Sequence, residues 1–422
     1  MATPEHIINR FMKNEILKAY KFRIYPTDDQ QEKLNQTFGC VRVVWNQLVE
    51  NFNSYGSSSF NPKMSEKTIK EDSRFPWLKD VSAAALQQKR MDFSETKRQF
   101  FNKRRKVRLG RMSFKKKQGR QSYRLPNQKF KLDQNSSTIR LEKIGHVHAA
   151  IDRDIPEDAD YRSVTISKTP TGKFFVSILV KINVDLLPMT GKSVGIDLGL
   201  KDLFTLSNGD VVSNPRWYRK SQAKLAREQK HLSRKQKGSK RYEKQRIKVA
   251  RVHERISNQR KHFLHCMTTT LVRGFDVIAT EDLNVTGLKK GNLAKSVSDV
   301  GWSEFVRQLE YKSKWYGKSF VKIDRFYPSS QICSSCGHRD GKKDLSVREW
   351  SCSSCEVHHD RDLNAAKNIL FKGYSDLTGQ PLNEVSAELV DYKRGEDIRL
   401  GEKIDAHLAT SVKRLDKSTN LS

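Results

Sequence analysis

Residues 194–199 read VGIDLG, an apolar run that encloses one carboxylate, Asp197. A buried carboxylate is expensive unless it is paired or metal-bound. The fold therefore turns on what Asp197 holds. One answer is a metal-bound nucleotide phosphate; the other is a metal ion that cuts a nucleic acid backbone. Outward from this run, SVGIDLGLKDLFTLSNGDVVS (193–213) reads as two strands with Asn208-Gly209 as the hairpin turn. FDVIATEDL (275–283) reads as a buried strand ending in acids, Glu281 among them, and FVKIDRFYP (320–328) as another strand. GWSEFVRQLEYKSKWYG (301–317) places Trp302, Phe305, Val306, Leu309 and Tyr316 on one helical face. HHDRDLNAAKNIL (358–370) starts a helix headed by Asp360 and Asp362.

Charge narrows the choice. The 422 residues carry 80 Lys and Arg against 48 Asp and Glu, a formal +32. A compact chain with that excess repels itself, so a polyanion is its natural partner. The length predicts two or three domains. There is no apolar run of membrane-spanning length and no basic-then-apolar leader, so the sequence reads as soluble and intracellular. Of six cysteines, four form two CxxC pairs; in a reducing compartment that pattern reads as a metal site. Cys40, read as lying beside a helix, and Cys266, within one, read as packed small apolar residues.

Upstream, ILKAYKFRIYP (16–26) alternates like a strand. Thr27 is an N-cap for a helix carrying Leu34, Phe38, Val41, Val44, Trp45 and Leu48 at helical spacing. Residues 82–101 form a second helix with Leu86, Phe93 and Phe100 on one face. The basic run 103–124, with Phe114 and Tyr123 interleaved, reads as a phosphate-facing loop through Lys115, Lys116, Lys117 and Arg120. Between 125 and 187, FKL, STIRL, HAAI, SVTIS and KFFVSILVKI recur as short alternating strands of a small β-barrel, with residues 16–26 as its first strand. Residues 216–261 hold 18 Lys and Arg against three Glu. They read as a helical hairpin broken at QKGSK, with a stripe of Val249, Val252, Ile256, Phe263, Met267 and Leu271 facing a core. So little acid among so much base predicts a phosphate backbone along Lys220, Arg234, Lys235, Lys237, Arg241 and Lys244.

Two motifs carry chemistry. Cys333 and Cys336, then Cys352 and Cys355 after 15 intervening residues, offer four thiolates at tetrahedral corners, a closed soft set suited to structural Zn²⁺. The four sulfurs fill that shell, so His338, His358 and His359 are not needed as ligands. The second motif is the acid set, Asp197, Glu281 and Asp362, each at the polar edge of its own apolar element. Three such acids can converge on one divalent site. Two Mg²⁺ ions about 4 Å apart could there activate water and stabilise a leaving oxygen.

The order strand-Asp, strand-Glu, zinc knuckle, D-x-N-A-A helix resembles the RuvC-type nuclease of the TnpB family, transposon-encoded RNA-guided DNA endonucleases related to compact type V CRISPR effectors. AYKFRIYPT, GIDLG, HERISNQRKHFLH, IATEDLNV, GWSEFVRQLEYKSKWYG, PSSQICSSCG and HDRDLNAAKNI follow the family's order over residues 16–375. The resemblance implies an α+β multidomain chain: an RNase H-like (RuvC) α/β nuclease with a zinc-ribbon insertion, and an oligonucleotide-binding-like wedge barrel interrupted by a helical recognition module. The implied segments are 1–27 (N-terminal extension and first wedge strand), 28–103 (recognition module), 104–190 (wedge), 191–328 (the first nuclease segment, with the basic hairpin 216–272), 329–357 (zinc ribbon), 358–375 (the second nuclease segment) and 376–422, a poorly ordered tail. Carried over, the metal ligands are Asp197, Glu281 and Asp362, with Asp360 the neighbour most easily confused with Asp362. Gln87 matches a helix facing a short target-adjacent motif. The implied partners are a guide RNA from the same locus and double-stranded DNA beside that motif, handled by a monomer on the nucleoid of a prokaryotic cytoplasm, with no membrane. Base pairing would read the sequence and the protein would read shape and the short motif. The rivals are a compact type V effector, a nuclease-inactive RNA-guided regulator, and an RNase H-like transposase; nothing resembling an end-binding helix-turn-helix supports the last. An actin-like ATPase would need a second Asp-Gly phosphate loop and an adenosine pocket, and neither is found.

Overall fold

The computed structural model describes residues 13–102, 112–291, 294–344 and 346–382. The N-terminal extension to residue 12, much of the basic run (103–111) and the tail from 383 lie outside the described residues. The described residues form two compact units, 15–183 and 184–382 together with residues 13 and 14.

In the first unit, β1 (Lys13–Tyr25) leads into α1 (Asp28–Asn53). Thr27 and Gln30 form a capping box at the start of α1. Leu34, Phe38, Val41, Val44, Trp45 and Leu48 are all buried along it, so the helical spacing marks the packed face. Cys40 is also inside α1 and buried, not beside it, and burial pushes its thiol up to about 11. Next come α2 (Glu66–Glu71), a 3₁₀ turn at Pro76–Lys79, and α3 (Ala83–Phe101). Trp45 of α1 meets Phe93 of α3 edge to face at 5.6 Å.

Seven strands follow this helical insertion or precede it: β2 (Gln121–Pro126), β3 (Phe130–Asp133), β4 (Thr138–Leu141), β5 (Gly145–Ala150), β6 (Asp160–Lys168) and β7 (Phe174–Asp185), with β1 in the middle. Their order is β2-β6-β7-β1-β5-β4-β3, a near-closed antiparallel barrel. Alternation fills its interior: Phe174, Val176, Ile178, Val180 and Ile182 of β7, and Phe22 and Ile24 of β1, are buried while residues between them are more exposed. One expectation fails here. Residues 121–124 are not loop but the start of β2, paired with β6 from Gln121↔Lys168 to Pro126↔Ser163. Tyr123 and Leu125 point inward, and Tyr123 packs edge to face on Phe38 at 5.5 Å.

In the second unit, β8 (Ser193–Leu198), β9 (Asp202–Leu206), β10 (Val211–Ser213), β11 (Val277–Glu281) and β12 (Ser319–Ile323) form one sheet, ordered β10-β9-β8-β11-β12. β8, β11 and β12 are parallel; β8, β9 and β10 are antiparallel. The 193–213 stretch thus makes three strands rather than two. Gly199 N donates to Leu203 O in a turn so tight that a Cβ on Gly199 would stand 2.8 Å from Asp202 O. The Asn208-Gly209 turn joins β9 to β10, with Gly209 at φ 98.

The helices are α4 (Trp217–Ser233), α5 (Lys240–Gly274), α6 (Val285–Leu288), α7 (Ala294–Val300), α8 (Trp302–Tyr316) and α9 (Arg361–Thr378). The two sheet faces divide by strand parity. Val194, Ile196 and Ile278 pack against Phe263, Leu264, Met267 and Leu271 of α5 and Trp302, Phe305 and Leu309 of α8. The opposite face, which carries Gly195, Asp197, Ala279 and Glu281, receives α9. That helix ends at Thr378, three residues past the expected boundary, on Gly379 at φ 75.

Candidate metal centres and nucleic-acid surface

Two glycines seat α9. A Cβ on Gly195 would stand 2.1 Å from Ala366 O and 2.6 Å from Leu370 N. A Cβ on Gly373 would stand 2.4 Å from the Ala279 Cβ. The helix backbone therefore lies directly on β8 and β11. Asp197 is two residues beyond Gly195 and Glu281 two beyond Ala279, so both acids emerge on the helix side of the sheet. Both stand at the C-terminal ends of parallel strands, where open α/β sheets bind ligands. Asp362 lies one helical turn before Ala366, in the first turn of α9.

The acids sense each other. Burial first, then the charges of Glu281 and Asp362, push the Asp197 carboxyl up to about 8; Asp360 adds to this and Arg361 opposes it. Burial raises Glu281 as well, against a 2.5 Å hydrogen bond donated by the Ser329 hydroxyl to its Oε1. Asp360 takes the bland role the sequence left open: its Oδ1 accepts from Leu363 N at 2.8 Å as the N-cap of α9. Asp362 makes no such bond, and among the described residues it pairs with Arg348 at 3.5 Å. The three acids do not close as tightly as one shared ion would draw them. Among the described residues, only the four cysteines bring three or more ligand atoms within 4.8 Å of one another. A pair of ions about 4 Å apart draws on a wider ring of oxygens than a single ion does. The crowding of negative charge on Asp197 is the property a divalent cation relieves.

The four thiols meet the demands of a metal closely. Cys333 and Cys355 sulfurs are 3.6 Å apart, and Cys336 and Cys352 sulfurs 3.7 Å. A tetrahedron with Zn–S bonds of about 2.3 Å puts its sulfurs about 3.8 Å apart. Each CxxC turn is built alike: Gly337 N donates to Cys333 O and Glu356 N to Cys352 O, both at 2.9 Å, with Gly337 and Glu356 both at positive φ. β13 (Glu349–Ser351) and β14 (His358–Asp360) pair behind the second turn. The sequence reading set all three histidines aside, and none is needed as a ligand. Yet His359, buried against Trp350, places Nε2 3.0 Å from the Cys333 sulfur, a supporting contact that spacing alone does not reveal.

The candidate cations fall on surface. Lys220, Arg234, Lys235, Lys237, Arg241 and Lys244 are all exposed on α4, α5 and the turn between them. Leu225, Val252 and Ile256, with Trp217, Tyr218 and Val249 beside them, form the small apolar core of this hairpin, and Gln245 Nε2 donates across it to Glu228 O and Oε2 at 3.0 and 2.7 Å. In the other unit Gln87, Lys116, Lys117 and Arg120 are exposed, and Lys115 lays its ammonium 3.8 Å above the Trp45 ring. Among the described residues no helix is long and apolar enough to cross a membrane.

These features define a class: a mixed α+β chain with a near-closed antiparallel barrel, a parallel-centred sheet edged with acids, and a four-cysteine centre. Known proteins resemble the chain. Residues 177–292 match the OrfB_IS605 family, described as a probable transposase; residues 302–369 match the Cas12f1-like TNB domain; residues 12–55 match a helix-turn-helix domain. The last match corrects the expectation that nothing would resemble such a domain. What residues 13–53 form, however, is one strand and one uninterrupted helix. A Streptomyces pristinaespiralis protein named "Putative RNA-guided DNA endonuclease" is 40% identical over 86% of this chain and 90% of its own length. "Putative RNA-guided DNA endonuclease InsQ" of Escherichia coli is 32% identical over 89% of this chain and 98% of its own length. The structure of a Cas12f1-sgRNA-target DNA complex contains a chain of the same fold, with TM-score 0.53 and 12% identity over 85% of this chain and 99% of that one. The chain belongs to the TnpB family.

Proposed function

We propose that this chain is an RNA-guided DNA endonuclease whose RuvC-like site is built from Asp197, Glu281 and Asp362. The observation that carries this reading is the convergence on the α9 face of the sheet. Two strand-end acids and one helix-start acid share that face, and burial first, then the charges of Glu281 and Asp362, lift Asp197 to about 8. The relatives' printed names supply the guide RNA and the DNA substrate.

Asp197, Glu281 and Asp362 would hold Mg²⁺, which when bound supplies a polarised water and charge neutralisation for phosphodiester hydrolysis. The chain's own residues do the positioning. The strands fix Asp197 and Glu281 one residue beyond the parallel pair Ile196↔Thr280. The α9 N-terminus, capped by Asp360, presents Asp362 and favours a negatively charged group nearby. Zn²⁺ held by Cys333, Cys336, Cys352 and Cys355 would fix the ribbon that leads directly into α9.

The remaining segments take the roles the family order implies. The barrel and its helical insertion serve as wedge and recognition module. The basic hairpin 216–272 and Lys115, Lys116, Lys117 and Arg120 contact phosphates. Gln87 faces the target-adjacent motif, and the protein works as a monomer on prokaryotic nucleoid DNA. The test is to express the full chain with its native flanking sequence, sequence the RNA that co-purifies, and present matching DNA with Mg²⁺. Guided cleavage that Asp197→Ala abolishes supports the reading. Cleavage surviving in that variant, or strand-transfer product formed without RNA, rejects it.

A further inference from the structure

Beside the acids lies a buried polar network that metal ligation itself does not require. Ser329 begins a 3₁₀ turn (Ser329–Gln331) between β12 and the first CxxC, and is 6% exposed. Its hydroxyl donates to Glu281 Oε1 at 2.5 Å. Among the described residues this is the only side-chain hydrogen bond Glu281 makes. The Ser329 backbone carbonyl accepts from Asn368 Nδ2 at 2.8 Å. The same Asn368 amide reaches Ile332 O at 2.6 Å. One turn earlier on α9, Asn364 Nδ2 also donates to Ile332 O at 2.8 Å, and its Oδ1 accepts from Ser334 N at 2.8 Å. Asn364 and Asn368 are 1% and 2% exposed.

Two asparagines at i and i+4 on one helix therefore clasp the segment 329–334 from both ends. Leu or Ala at those positions would pack on the sheet as well, but would leave the carbonyls of residues 329 and 332 and the amide of 334 without these partners. The clasp ties three things together: the helix that carries Asp362, the turn that carries Cys333, and the hydroxyl that grips Glu281.

We infer that Ser329 is a positioning residue for Glu281, held in place by the Asn364 and Asn368 clasp, and that it sets how tightly the acid site takes up its divalent cation. This rests on the reading of Asp197, Glu281 and Asp362 as the metal ligands. A hydroxyl committed to Oε1 fixes the carboxylate rotamer before any cation arrives and leaves Oε2 to ligate. Without the hydroxyl, Glu281 must surrender rotamer freedom at the moment of binding, and the affinity falls.

Mn²⁺ titration of the full chain with its co-purified RNA, by calorimetry, tests this alongside thermal melting and cleavage against Mg²⁺ concentration. Ser329→Ala is expected to weaken Mn²⁺ binding about tenfold to a hundredfold, the range for losing a group that orients a ligand. Melting should change little, because the backbone carbonyl that Asn368 holds is kept. Cleavage should recover at high Mg²⁺, and Ser329→Thr should restore affinity. Unchanged Mn²⁺ binding in Ser329→Ala, with binding lost in Glu281→Gln, overturns this inference and leaves the acid site standing. A lowered melting point with cleavage lost at every Mg²⁺ concentration and no rescue by threonine overturns it too, by making Ser329 merely structural. If Asp197→Ala and Glu281→Gln both bind and cut as the parent does, the acid-site reading itself fails.

Discussion

As the proposed metal ligand, Asp197 is where stability and activity would oppose each other. Its carboxyl titrates near 3.8 in the unfolded chain and about 8 in the folded one. Between those values the folded state binds more protons, so stability falls as pH rises from about 4 to about 8 and then levels off. Asp197→Asn removes that dependence. In magnesium-free buffer without chelator, its melting point should exceed the parent's by only a little at pH 5 and by several degrees at pH 8.5, each kcal/mol being worth roughly 2–4 °C in a unit of this size. A gap that shrinks with pH would mean the acid is not raised. The same substitution, like Glu281→Gln or Asp362→Asn, should cut guided cleavage at least about a thousandfold while target binding persists, since several kcal/mol of charge stabilisation is lost. Asp360→Ala should instead cost about 1 kcal/mol of stability as a lost N-cap and leave most cleavage. The placement of the three acids at strand ends and a helix start was legible in the sequence, because each interrupts an apolar pattern. Ser329 was not. It is one serine in PSSQ with a neighbour of identical chemistry, and only the fold shows that its hydroxyl, not that of Ser330, reaches Glu281.

Among the elements, α9 does the most to assemble the site. Glycine-to-alanine inside a helix ordinarily stabilises by about 1 kcal/mol. At Gly373 the sign should reverse, because the added methyl collides with Ala279. At Gly195 the collision is with helix backbone, which cannot swing away as a side chain can. Gly195→Ala should therefore cost about 3 kcal/mol or more by urea melting, with cleavage lost as Asp197 and Asp362 separate. Neutral or stabilising outcomes would show that α9 is not seated on these glycines. The ribbon is coupled to the same helix. Cys352→Ser should remove one equivalent of bound zinc per chain, measured by metal analysis, and with it Mg²⁺-dependent cleavage; cleavage at parental rate in a zinc-free protein would uncouple the two. Periodicity located the helices well, because amphipathic stripes such as Phe263-Met267-Leu271 are long. It missed β2 because Lys and Arg outnumber the inward Tyr123 and Leu125 in the run around them. It merged β8 with β9 because the Gly199 turn between them contains no Asn-Gly or Pro to announce it.

At the scale of the whole molecule, charge was the most legible property and its placement the least. A formal +32 predicts a polyanionic partner, but the fold decides which cations are offered. Lys115, in the same basic run as Lys116 and Lys117, lies over Trp45 and is partly spent on packing. Lys235, Lys237, Arg241 and Lys244 are exposed and, among the described residues, pair with no acid. Each cation that meets an RNA or DNA phosphate releases counterions, so affinity falls with salt by a slope of about 0.7–0.9 per contact. Replacing these four with glutamine should lower the slope of log affinity against log salt by up to about 3 and weaken binding to guide-length RNA of any sequence. Melting should not fall. None of the four belongs to the small core of Leu225, Val252 and Ile256, and Arg241 and Lys244 stand in the first turns of α5, where cations oppose the helix dipole. Filter binding at four salt concentrations with parent and variant decides the matter. An unchanged slope would remove the hairpin from the nucleic-acid surface, whatever the total charge of the chain.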